Sequence, residues 1–166
     1  MFNIIKPRKN FFMRGKTKEK KMGAVVLGAF FLFFTDRFLK SWSLINLYNQ
    51  KITIIKQWLY LDLYKNENIA FSLPLPEIIL MPLIILILII LIYYLFQQIR
   101  EKFGVAEVAL IFIIIGAISN LIDRLRYGYV VDYINARFWP VFNIADIMIS
   151  GGVIVLFFIL IKAKKQ

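Results

Sequence analysis

The sequence predicts an all-α integral membrane protein, four transmembrane helices with a small β-rich extracytoplasmic segment. Three observations lead there. Hydrophobic residues make up 60% of the 166 positions and the mean hydropathy is +0.71, outside the range of a water-facing domain. Apolar runs approach the roughly 20 residues that cross a bilayer as a helix, the clearest being Leu80 to Phe96, broken only by Pro82 near its start. The formal charge of +11 is segregated rather than spread. Lys6, Arg8, Lys9, Arg14, Lys16, Lys18, Lys20 and Lys21 crowd the amino-terminal region, Arg100 and Lys102 mark a short connection, and Lys162, Lys164 and Lys165 close the chain.

Residues 1–21 are polar and basic without a packing pattern, and read as a cytoplasmic tail or interfacial segment. With the apolar run behind it the tail looks superficially like a signal peptide, but Asp36 and Lys40 follow without a clear small-residue cleavage site. The first span is expected at about 22–42, with Asp36 near its outer end. In residues 44–76, Lys51-Ile-Thr-Ile-Ile-Lys56 and Trp58-Leu-Tyr-Leu-Asp-Leu-Tyr64 are β-branched and aromatic with partial alternation, which predicts short strands. Pro74 and Pro76 end that segment before a second span at about 77–98. A basic turn leads to the third span at 105–122, an outer loop covers 123–141, and the fourth span covers 142–161, leaving a basic end at 163–166. Four spans put both termini on one side, and the bias of lysine and arginine makes that side cytoplasmic. Asp36, Asn66, Asp132 and Asp146 then gather at the outer face.

The chain has no cysteine and no histidine. That removes disulfides, thiol nucleophiles, histidine-based triads and zinc fingers, and leaves carboxylate, lysine, hydroxyl and amide chemistry. No metal and no cofactor are expected. Nucleic acid is not an expected partner either, because the basic residues flank spans instead of forming a patch; membrane lipids are.

Asp132 follows Val130-Val131, and Asp146 follows Asn143 at the start of the last span. Carboxylates beside hydrocarbon cost several kcal/mol and so are functional candidates. Two that meet cannot both ionise cheaply; they share a proton, and such a pair can activate water while polarising a carbonyl. Equally, Asp132 can end a loop and Asp146 can cap a helix. The residues alone leave these two readings balanced. Gly116, Asn120 and Arg124 share one face of the third helix, where close packing and snorkelling account for them more simply than chemistry. Asp123 has local partners in Arg124 or Arg126. Asp36 and Lys40 are spaced for an ion pair on one face, and a serine–lysine catalytic pair with Ser41 or Ser43 is poorly placed on a helix.

Taken together, Asp36-x-x-x-Lys40, Asn66-x-x-x-Ala70-Phe71, Gly116-x-x-x-Asn120-Leu-Ile-Asp-Arg124, Gly128-x-Val-Val-Asp132 and Phe142-Asn-x-Ala-Asp146 resemble lipoprotein signal peptidase (signal peptidase II) over residues 22–162. The resemblance implies a bacterial inner-membrane aspartyl peptidase, expected as a monomer, that cleaves diacylglyceryl-modified prolipoproteins before the lipidated cysteine, with water and no metal. It implies Asp132 and Asp146 as the catalytic pair and Asp36, Lys40, Asn66, Gly116, Asn120, Arg124 and Asn143 as supporting or substrate-binding positions. Two residues depart from the family's pattern: Asn68 and Ser119 stand where glycines are expected, and the stretch between the two aspartates is short. A proton-coupled transporter and a non-cleaving binder of lipidated peptides are the rival readings of the same carboxylates.

Overall fold

The computed structural model describes residues 9–67, 77–101 and 103–164. Asn68, Ala70, Phe71, Pro74 and Pro76 lie outside the described residues. Among those described, four helices are long and apolar enough to cross a membrane. They are α1 (Lys9–Asn46), α2 (Glu77–Glu101), α3 (Val105–Tyr127) and α4 (Ile144–Ala163), and with them goes a sheet of β1 (Lys51–Ile55), β2 (Leu59–Asn66) and β3 (Val130–Ala136).

The helix ends follow from local chemistry. At the start of α3, the Glu107 carboxylate accepts from the Gly104 N–H at 2.6 Å, satisfying an amide just outside the helix. α3 stops where Gly128 turns left-handed at φ 79° and returns its N–H to the Arg124 carbonyl, a conformation glycine adopts without Cβ strain. Asn143 caps α4 reciprocally with Asp146: the Asp146 N–H donates to Asn143 Oδ1 at 2.8 Å, and the Asn143 N–H donates to Asp146 Oδ2 at 3.2 Å.

Several expected boundaries move. The region read as a basic tail or interfacial segment is helical from Lys9, so α1 runs on without a break into its apolar half. α3 continues through Asp123, Arg124 and Arg126 to Tyr127, because Asp123 is bound by cations of α1 and need not leave the helix to find water. The segment expected as an outer loop therefore holds the last turn of α3 and all of β3. Asn66 is the last residue of β2 and pairs with Val130.

The three strands are antiparallel in the order β1-β2-β3. Register is what matters for the site. Leu61 pairs with Ile134, but Tyr64 pairs with Asp132, so β2 carries one extra residue between these pairs. Side chains alternate faces, and a one-residue shift moves everything beyond it to the other face. The bulge thus puts Asn66 on the same face as Asp132, as a diagonal neighbour. A regular ladder would have turned it away. The short connection after β3 is drawn back by a bridge between Ile134 and Phe142, with N–H···O distances of 2.8 and 3.0 Å. That return brings Asn143 beside Asp132.

α3 and α4 approach closely through two glycines. A Cβ on Gly116 would lie 2.7 Å from the Ala145 carbonyl oxygen; one on Gly152 would lie 2.8 Å from the Ala109 carbonyl oxygen and 2.5 Å from Ile113. Small residues allow such backbone contact between membrane helices. Gly116 makes its contact at the residue before Asp146.

Candidate active site

Two asparagines organise the site, and the orientation of each amide is fixed by a donor that leaves no choice. Lys40 Nζ has only protons to offer and donates to Asn120 Oδ1 at 2.7 Å. The Asn120 NH₂ must then point away from it, and it donates to Asp146 Oδ1 at 2.8 Å. In the same manner the Asp146 backbone N–H claims Asn143 Oδ1, so the Asn143 NH₂ turns to Asp132 Oδ1 at 2.6 Å. Asn143 Nδ2 also lies 3.2 Å from Asn120 Oδ1, joining the two amides. Asn66, aimed by the bulge in β2, donates to Asp132 Oδ2 at 2.9 Å. Each aspartate therefore receives hydrogen bonds on both carboxylate oxygens.

Burial distinguishes the pair. Asp132 is fully buried, whereas Asp146 is partly exposed and helps line a cavity of about 280 Å³ with Asn66, Asn120, Arg124, Trp139 and Phe142. Burial, and after it the negative charge of Asp146, push the pKa of Asp132 up to about 7 from an ordinary 3.8. The hydrogen bonds from Asn66 and Asn143 and the charge of Lys40 act in the opposite direction and are outweighed. Asp132 is consequently far easier to protonate near neutral pH than an exposed aspartate. Asp146 also caps α4, the structural role the sequence allowed it.

Beneath this pair lies a buried ionic cluster. Lys40, fully buried, is 3.1 Å from Asp36 Oδ2 and 2.8 Å from Asp123 Oδ2. Arg37 bonds Asp123 Oδ1 and donates to the Ser119 carbonyl at 3.2 Å. The Val131 N–H donates to Asp123 Oδ2 at 3.2 Å, tying the start of β3 to α3. Two acids face two bases, so the cluster carries no formal net charge, which is how ionised groups are tolerated at membrane depth. Asp123, offered local partners by the sequence, is bound across the bundle by α1. Lys40 is committed to these carboxylates and Asn120, and Ser43 Oγ donates to the Leu39 carbonyl at 2.6 Å, which disposes of a serine–lysine pair. Among the described residues no group of acidic side chains has the arrangement of a metal site.

The structure thus brings Asp36, Lys40, Asn66, Asn120, Asn143, Asp132 and Asp146 into one connected network. Arg124 stands on the cavity wall, and Gly116 sets the approach of α4. Sequence reasoning missed Arg37, Tyr133 and Gly152, and marked Ser119 only as a departure from the family's pattern. The signal available for Arg37 was weak: it adjoins Asp36 but lies off the Asp36–Lys40 stripe. Gly152 lies one turn and a half beyond Asp146 and had a packing signal only as a small residue in an apolar span.

Four spans, with a three-stranded sheet at one end and a buried polar site beneath it, define a polytopic membrane protein built around a carboxylate pair. A sequence model of the family described as Signal peptidase (SPase) II matches residues 28–162. A lipoprotein signal peptidase of Clostridium novyi is 34% identical over 146 residues, covering 84% of this chain and 99% of its own length. One from Clostridium tetani is 32% identical over 145 residues, covering 83% and 90%. A bacterial membrane enzyme solved by the in meso method at 2.3 Å resolution superposes with a TM-score of 0.71 at 25% identity, covering 86% of this chain and 90% of the other. The chain belongs to the signal peptidase II family, and is accordingly a bacterial membrane peptidase of lipoprotein maturation.

Proposed function

We propose that the chain is an aspartyl endopeptidase that removes signal peptides from diacylglyceryl-modified prolipoproteins by cleaving before the lipidated cysteine. The observation that carries this reading is the paired amide arrangement: Asn120 and Asn143 each present an NH₂ to a different aspartate, and they bond to each other. Such a frame holds two carboxylates near enough for the charge of one to raise the pKa of the other.

In the proposed mechanism Asp146, on the cavity wall, takes a proton from water as that water attacks the scissile carbonyl. Asp132, which retains its proton toward neutral pH, donates to the carbonyl oxygen as charge develops there. The tetrahedral intermediate then collapses, the proton on Asp146 passes to the leaving amine, and the carbonyl returns its proton to Asp132. Arg124 and Asn66 line the same cavity and would hold substrate backbone or headgroup oxygens. Both termini would be cytoplasmic and the sheet extracytoplasmic, which sets the site at the outer membrane surface where a lipid-modified substrate presents its cleavage point.

The test is cleavage by purified protein in detergent of a diacylglyceryl-modified prolipoprotein beside its unlipidated counterpart. Cleavage of the lipidated substrate alone is expected. Failure of well-folded protein to cut either one, with retained binding, would replace the peptidase reading with that of a lipidated-peptide binder.

A further inference from the structure

The first turn of α4 carries amides with no partner inside the helix, and the way they are satisfied is unusual. The Ala145 N–H donates to Asp36 Oδ1 at 3.3 Å, and the Ile144 N–H donates to the hydroxyl oxygen of Tyr133 at 3.2 Å. That hydroxyl in turn donates to Asp36 Oδ1 at 3.0 Å, while Ser119 Oγ donates to Asp36 Oδ2 at 2.6 Å. Tyr133, Asp36 and Ser119 are all essentially inaccessible. Tyr133 is the residue after Asp132, and Ile144 and Ala145 are the two residues before Asp146. A single hydroxyl therefore bolts the strand bearing one aspartate to the helix bearing the other. Burial, with the neighbouring Asp36 carboxylate behind it, pushes the tyrosine pKa up, so the hydroxyl stays protonated and keeps donating.

We propose that Tyr133 is a positioning residue that fixes the spacing of the Asp132 and Asp146 carboxylates through its hydroxyl, with Asp36 as its anchor and Ser119 holding that anchor in place. This rests on the reading of Asp132 and Asp146 as the reacting pair. Ser119 stands where the family's pattern has glycine, and its hydroxyl gives Asp36 a buried donor that a glycine lacks. The charged groups packed about this clamp are Asp36, Arg37 and Lys40 from α1, Asp123 from α3, Asp132 from β3 and Asp146 from α4.

Tyr133→Phe keeps the ring and deletes both hydroxyl bonds. In the full-length protein assayed on a diacylglyceryl-modified prolipoprotein, kcat should fall about tenfold to a hundredfold, the range that misplacement of reacting groups costs, with KM held within about twofold. The bell of the pH–rate profile should narrow from its alkaline side, because carboxylates that drift apart couple less strongly. Wild-type kcat and an unchanged profile in folded Tyr133→Phe would overturn the proposal. So would a fall in kcat with an unmoved profile and a lowered Tm, the signature of a merely structural tyrosine. Ser119→Gly provides a second arm: its effect should be smaller, and the double variant should lose less than the product of the two single effects, since both act through Asp36. Independent, multiplicative losses would contradict the shared anchor. Asp132→Asn and Asp146→Asn run alongside separate the two levels. Turnover in either sinks the reacting pair itself, whereas two inactive variants beside an unaffected Tyr133→Phe sink only the clamp.

Discussion

α2 and α3 are membrane-spanning helices of 25 and 23 residues, yet they solve different problems. Half of the most apolar stretch of α3 is buried in the protein, against 11% for α2. α2 is almost wholly aliphatic and aromatic, and its Ile, Leu and Tyr side chains face outward along most of its length. α3 carries Gly116, Ser119, Asn120 and Asp123 toward α1 and α4, and each has a named partner there. Hydrocarbon supplies no hydrogen bonds, so a polar side chain in a span is stable only against protein that completes it. α3 can therefore support a polar site on its neighbours, while α2 provides apolar surface.

The contrast breaks most severely at Lys40. Lys40→Met leaves Asp123 with Arg37 but removes the cation that pairs with buried Asp36, and removing one partner of a buried ion pair costs about 3–5 kcal/mol. Loss of monodisperse folded protein in detergent, or a large drop in Tm, is the expected result. Next comes Gly116→Leu, whose Cβ would meet the Ala145 carbonyl at 2.7 Å. Overpacking of this kind costs about 1–3 kcal/mol, and here it displaces the helix turn bearing Asp146, so Tm and turnover should fall together. A titration sharpens the comparison without mutation. The pKa of Asp132 is raised to about 7, so the folded state holds a proton that the unfolded chain has released above about 3.8. The resulting stabilisation is full below that range and is lost as pH rises through about 7. Tm should therefore fall between about pH 3.8 and pH 7 and level off above, a fall that shrinks in Asp132→Asn, whereas turnover should decline above about pH 7 as Asp132 loses its proton. The smallest effect belongs to α2: Ile89→Ala, on a side chain 59% exposed to the bilayer, should leave turnover unchanged and move Tm little.

Much of this was legible in the sequence because membranes simplify the code. Spans announce themselves by length and apolarity, and the strands of the hairpin by β-branched alternation. Their limits were less legible. Asp123, Arg124 and Arg126 looked like the end of α3 because a charge run usually marks water, and nothing along the chain says that Arg37 and Lys40 wait on the neighbouring helix. Asp132 and Asp146 were visible as candidates, but their equivalence was not broken until burial separated them. The bulge in β2 that aims Asn66 has no glycine or proline to mark it. Tyr133 was hidden for a different reason: a tyrosine in a strand reads as packing, and only the hydroxyl's two partners, from α1 and α4, give it another role.

The central claim is that Asp132 and Asp146 form one reacting unit. The most direct measurement is turnover of a diacylglyceryl-modified prolipoprotein by purified, folded Asp132→Asn and Asp146→Asn. Each substitution keeps the side chain's shape while removing the carboxylate, and each should bring cleavage below detection with substrate binding retained. Substantial turnover by either variant would contradict the account, because one carboxylate alone cannot both activate water and protonate the carbonyl in the manner the paired amides support.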